Sequence, residues 1–175
     1  MEARRYHYTN SFKYKKSLQN IFSDVLNLHF IDYISIAELT PTTVTIYSSE
    51  PALEANLVES NLMQYDEIYT SKERDNELLI WDNYYKDKTN EIKQVKTMNY
   101  QLQFGFSLFE TNTLLYSFAT KSEMKDPVRF YSDRLSDMCA MGQYCYRQLK
   151  EKKLLDNVKT AKIIPFTYKK RNQHV

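Results

Sequence analysis

Leu102-Gln103-Phe104-Gly105-Phe106-Ser107-Leu108-Phe109, followed after a short polar break by Leu114-Leu115-Tyr116-Ser117-Phe118-Ala119, is the stretch that decides the fold. Both halves are rich in aromatic and apolar residues, and Thr111-Asn112 between them supplies turn chemistry. The pair predicts a β-hairpin, so its strands are antiparallel neighbours.

Downstream, Asp126-Pro127 opens a long helix that is expected to run to about residue 153. Along it Val128, Tyr131, Leu135, Met138, Gly142, Cys145 and Leu149 alternate at spacings of three and four, a seven-residue repeat. Two uses fit this stripe. It packs on the sheet as core, or it forms a dimer seam through Leu135, Met138, Gly142 and Leu149, with Gly142 allowing close backbone approach. Phe130, Met141 and Tyr144 offer a second apolar side.

Upstream, Phe12, Leu18, Phe22, Val25, Leu26 and Phe30 recur at helical intervals and predict an amphipathic helix over 11–30. Residues 33–39 and 44–47 flank Thr40-Pro41-Thr42 and form a further hairpin. Ser49 is a helix cap, Pro51 falls in the first turn, and Ala52, Leu53, Leu57 and Val58 line a short helix to about residue 62. Between 63 and 88 only Leu78-Leu79-Ile80-Trp81 is apolar enough to be buried, which suits loop with a short strand. Thr89 caps a helix carrying Ile92, Val95 and Met98. The order α-β-β-α-α-β-β-α implies a three-layer α-β-α sandwich with a central antiparallel sheet, a PAS-like arrangement in the α/β class.

With 175 residues, 42% of them hydrophobic, the chain suits one core. We expect a sensory or ligand-binding-like domain over 1–158 and a basic linker or tail over 159–175. No run approaches the roughly 20 apolar residues of a membrane span, and the polar, basic start lacks a signal region, so the expectation is a cytoplasmic protein without membrane contact. Net charge is +2, yet residues 50–91 hold eleven acidic and four basic side chains, while 147–171 hold nine basic and two acidic. Solvated faces explain this split, as does a basic end placed near DNA. Lys169-Lys170-Arg171 brings no recognition element with it, so direct reading of DNA by this chain is not expected.

Enzyme signatures are missing. There is no G-x-S-x-G elbow, phosphate loop or H-E-x-x-H pair, and Gly105 and Gly142 are the only glycines. Cys139 and Cys145, six apart in a helix, have Cα atoms roughly 9 Å apart, too far for a disulfide. His7, His29 and His174 are scattered, so neither a metal nor a cofactor is expected. Instead, Tyr65, Tyr69, Trp81, Tyr84 and Tyr85 concentrate in the weakly patterned middle. Rings with hydrogen-bonding tips suit a concave site for a small amphipathic molecule, and equally suit packing beneath long loops.

Phe104-Gly105-Phe106-Ser107-Leu108 and Tyr116-Ser117-Phe118-Ala119-Thr120 resemble the strand pair of the autoinducer-binding domains of LuxR-type transcription regulators. The segment from Asp126-Pro127 to Leu149 is similar to the long helix that follows in that family. Leu79-Ile80-Trp81-Asp82 resembles its buried tryptophan segment, and Tyr65-Asp66 falls near its ligand-contacting aspartate. The resemblance implies a non-catalytic sensory domain that relays a small molecule or partner to a DNA-binding helix-turn-helix, which this chain does not contain. Its candidate ligand contacts are Tyr65, Asp66, Tyr69, Trp81, Phe106 and Ser117. Two departures stand out: Asp66-Glu67 replaces an Asp-Pro pair, and Leu53 and Leu57 stand where bulky Trp and Tyr residues are found. They imply a more apolar or differently shaped ligand than an acyl-homoserine lactone. The competing functions are a PAS-like interaction module without ligand and a small acyl-group enzyme.

Overall fold

The computed structural model describes residues 5–8, 11–69, 78–85 and 90–155. In chain order the elements are β1 (Arg5–Tyr8), α1 (Ser11–Ser23), β2 (Tyr33–Leu39), β3 (Thr43–Ser48), α2 (Pro51–Glu59), β4 (Leu79–Ile80), α3 (Trp81–Tyr84), α4 (Asn90–Gln94), β5 (Phe104–Thr111), β6 (Leu114–Thr120), α5 (Pro127–Ser132) and α6 (Leu135–Glu151). The expected hairpins, β2–β3 and β5–β6, meet at the centre of one sheet of order β1-β3-β2-β6-β5-β4. The central seam pairs Tyr33 with Ala119, Ser35 with Ser117 and Ala37 with Leu115.

Both faces of the central strands are buried, as expected of strands covered on two sides. Ile34, Ile36, Tyr47, Phe106, Leu108, Tyr116 and Phe118 point to a layer formed by α1, α5 and α6. Tyr33, Ala37, Leu39, Val44, Ile46, Phe109, Leu115 and Ala119 point to a layer formed by α2, α3 and α4. The three-layer α-β-α sandwich is therefore present. One strand departs from the antiparallel expectation: β1 runs parallel to β3 at the sheet edge, with Arg5 opposite Thr43 and Tyr8 opposite Ile46.

The two glycines have matching jobs on opposite faces. A Cβ on Gly105 would lie 2.0 Å from the Trp81 ring, and one on Gly142 would lie 2.2 Å from Tyr116. Each glycine lets an aromatic ring lie directly on backbone. The close approach expected at Gly142 is thus made to this chain's own sheet, and Met138 and Leu149 are fully buried beside it. Leu135 is half-buried. From Tyr131 to Leu149 the stripe packs as core, the first of its two uses, whereas Val128 at its start is 45% exposed.

Three helices differ from expectation. The 126–153 helix is two, α5 and α6, broken at Asp133-Arg134. Arg134 Nη1 donates to the Phe130 carbonyl at 2.9 Å, and the guanidinium lies 3.9 Å from the Phe130 ring, so the side chain takes a carbonyl that a continuous helix would use itself. Asp126 does cap the start, accepting from Arg129 N at 3.1 Å. α1 ends at Ser23 instead of Phe30, because Asn27, His29 and Phe30 have positive φ and turn the chain into β2; Phe30 is 58% exposed. Ser49 does not cap α2: its hydroxyl accepts from Ile34 N, and Glu50 holds the cap position without a side-chain bond. Thr89 and the 159–175 tail lie outside the described residues.

Candidate functional site

The face of the sheet under α2–α4 carries a polar strip through its centre. Strand alternation puts Ser48, Ser35, Ser117 and Ser107 on this face, and the register sets them side by side across β3, β2, β6 and β5. All four are buried. Ser107 and Ser117 share a hydrogen bond of 2.7 Å, and Trp81 Nε1 donates to Ser107 at 2.9 Å. Among the described residues no group lies at hydrogen-bond length from Ser35 Oγ.

Above this strip the chain gathers charge. Asp66 is 1% exposed; its Oδ1 accepts from Ile68 N at 3.2 Å, and its Oδ2 accepts from the Tyr85 hydroxyl at 2.9 Å. Lys96 is 5% exposed, and its Nζ lies 3.6 Å from Asp66 Oδ2 and donates to the Tyr85 hydroxyl. The same ammonium sits 3.8 Å from the centre of the Trp81 ring and 4.7 Å from that of Tyr85. Tyr33 closes the group, edge-on to Trp81 with its hydroxyl donating to Glu54. Glu54 is itself 2% exposed.

Burial decides the proton equilibria here. Desolvation pushes the Glu54 carboxyl up, against the opposing pull of the Tyr33 hydrogen bond and the Lys96 charge. Lys96 is pushed down by desolvation, while Asp66 and Glu54 hold it up. Burial likewise pushes the Tyr33 and Tyr85 hydroxyls well above their ordinary value, so both serve as neutral donors.

The local cause of each placement is readable. Ile92 and Lys96 are four apart and share the buried side of the helix, which passes at Val95–Asn99 into a π-helical turn. Met98, expected inside, is 77% exposed. On α2, Leu53, Glu54 and Leu57 face inward, whereas Ala52 is exposed. Of the candidate ligand contacts, the structure brings together Asp66, Trp81 and Ser117, with Tyr69 buried in the same layer. Two are corrected. Tyr65 is 54% exposed, on a turn that sends only Met63 inward. Phe106, one residue from Ser107, points to the opposite face, where it packs 4.7 Å from Tyr131. Sequence reasoning missed Lys96, Glu54 and Tyr33; the Ile92–Lys96 spacing was the available signal for the first.

Among the described residues no group of three His, Cys, Asp or Glu side chains is placed to hold a metal ion, and no helix is long and apolar enough to cross a membrane. No protein-family model matches the sequence, and no curated protein matches it. Solved structures do. A crystal structure of Escherichia coli SdiA, a LuxR-type regulator, superposes with TM-score 0.60 at 16% identity, over 90% of this chain and 70% of that one. SdiA in complex with octanoyl-rac-glycerol gives TM-score 0.52 at 16% identity, over 87% of this chain and 65% of that one. The element order, the two-faced sheet and these superpositions together show that this chain has an α/β fold like that of the SdiA autoinducer-binding domain.

Proposed function

We propose that this chain is the non-catalytic sensory domain of a LuxR-type transcription regulator, acting in the cytoplasm and passing a small-molecule signal to a DNA-binding module. The observation that carries this reading is the buried polar group of Asp66, Tyr85, Trp81 and the serine strip, set between sheet and helices in an SdiA-like fold. Buried polar side chains cost stability unless they are paired, and a group this dense suits a site where recognition outweighs core stability. The SdiA complex with octanoyl-rac-glycerol supports an apolar, lipid-like molecule as the ligand class. Leu53 and Leu57, both buried in the same layer, would offer such a molecule apolar contact.

Trp81 is the only tryptophan and lies in the site, so its fluorescence is the direct readout. Titration of the purified chain with octanoylglycerol is expected to give a saturable change in emission, and mass spectrometry of molecules released from the protein is expected to find an apolar compound. Acyl-homoserine lactones should leave the emission unchanged. Asp66 is already engaged by Tyr85 and Lys96, and no donor at Leu53 or Leu57 can meet a lactone carbonyl. Emission that octanoylglycerol leaves unchanged would defeat this reading, and saturable lactone binding would overturn the apolar ligand class.

A further inference from the structure

Proteins recognise organic ammonium ions with aromatic ring faces and nearby carboxylates, because ring quadrupoles and fixed anions replace the water that the cation gives up. The site around Lys96 has these parts in place. Trp81 and Tyr85 turn ring faces to Nζ at 3.8 Å and 4.7 Å, Asp66 lies 3.6 Å away, and the Glu54 charge acts on the same ammonium. They come from separate pieces of the chain: Asp66 from the loop between two 3-10 turns, Trp81 from α3, Tyr85 from its C-terminal end, and Glu54 from α2. Lys96 itself arrives from the π-helical turn after α4. A surface ion pair needs no such convergence. This one ammonium ties the helical layer together above the sheet.

We propose that this is an ammonium-binding cage whose resident is Lys96, a built-in stand-in for the head group of a small molecule, so that the helical layer packs with its polar centre filled by the chain itself. The proposal rests on the reading of this face as the sensory site. It also names a ligand class: once Lys96 is truncated, the cage accepts a primary alkylammonium, because Asp66 and the Trp81 face still require a cation. A neutral molecule of the same size leaves Asp66 buried with only the Tyr85 hydroxyl and the Ile68 N–H.

Lys96→Ala in the full chain removes the atoms from Cγ to Nζ, the size and charge of n-propylammonium. The unfolding midpoint should fall by roughly 10 °C, the usual effect of breaking a buried ion pair in a chain of this length. Added n-propylammonium chloride should restore several degrees saturably and shift the Trp81 emission back towards that of the parent chain. n-Propanol and sodium chloride at equal concentration should do neither, and n-propylammonium should leave the parent chain unchanged. Asp66→Asn added to Lys96→Ala should abolish the rescue. Should the alanine variant fail to fold, Lys96→Met keeps the volume without the charge and should unfold at a lower midpoint than the parent. Rescue that is absent, or equally strong with n-propanol, overturns the proposal, as does a Lys96→Met chain at least as stable as the parent. The two ideas fail separately: a parent chain with no lipid response defeats the sensory reading, whereas a failed rescue defeats only the built-in ammonium.

Discussion

The two faces of the sheet are built from the same strands and obey opposite rules. On the α1, α5 and α6 side, aromatic and aliphatic side chains interlock: Phe106 stacks on Phe118 and lies tilted against Tyr131, Tyr131 stacks on Phe104, and Tyr116 lies on Gly142. Even its ionisable groups act as apolar ones, since burial pushes the Cys145 thiol up to about 12. On the α2–α4 side, four serines, two carboxyls and an ammonium occupy the centre of an otherwise apolar layer. The contrast teaches where the fold is held and where specificity is placed. One face secures the sheet by burial, which leaves the other free to carry groups whose desolvation would cost too much in the only core.

Phe106→Ala should damage the apolar face most severely. A fully buried phenylalanine lost from a packed face costs about 3–5 kcal/mol, or roughly 10–15 °C in unfolding midpoint. Because Phe106 points away from the polar face, the folded variant should keep the parent Trp81 emission spectrum. A shifted spectrum would mean that the faces are coupled through the strand.

Next in size is Asp66→Ala, which leaves the Lys96 ammonium buried without its carboxylate. A loss of about 3 kcal/mol by denaturant unfolding is expected, this time with a clear change in Trp81 emission. Emission like that of the parent would separate Asp66 from the cage.

A smaller and more local test is Gly105→Ala. Its new Cβ would collide with Trp81, so the ring must move and the Nε1 bond to Ser107 must stretch or break. Overpacking of this kind costs about 1–3 kcal/mol, and Trp81 emission should move to longer wavelength. Unchanged emission would show that the ring has room to slide.

The smallest effect belongs to Glu54→Gln and is read from pH dependence. Glu54 has its folded pKa raised, chiefly by burial, above the ordinary value of 4.5. Such a group binds its proton more readily folded than unfolded, so its cost is absent below 4.5 and grows as pH rises through the folded value. Glutamine removes that cost, so the variant should gain stability relative to the parent over the interval from pH 4.5 up through the folded value. A difference that shrinks over this interval would mean that the charged carboxyl is favoured by its partners after all.

Local pattern made much of the architecture legible. The alternation in β5 and β6, the turn residues between them and the Asp126 cap act within a few residues, and those elements stand where they are expected. The breaks at Asn27–Phe30 and Asp133-Arg134 were hidden, because an amphipathic stripe continues in sequence while a side chain or a left-handed residue interrupts the backbone. The candidate site divides in the same way. Asp66, Trp81 and Ser117 could be named, whereas Lys96 and Glu54 could not, since a charged residue on a helix faces water unless something inside receives it.

By itself, then, the chain's alternation, turns and caps determined two hairpins, amphipathic helices on either side and a tryptophan drawn inward, because these depend on neighbours a few residues away. Only tertiary structure decided the pairing of β2 with β6, which lines up Ser35 and Ser117 from positions far apart in the chain. It alone decided the meeting of Asp66, Tyr85 and Lys96 over Trp81, because the stability of a buried charge depends on partners supplied by other elements.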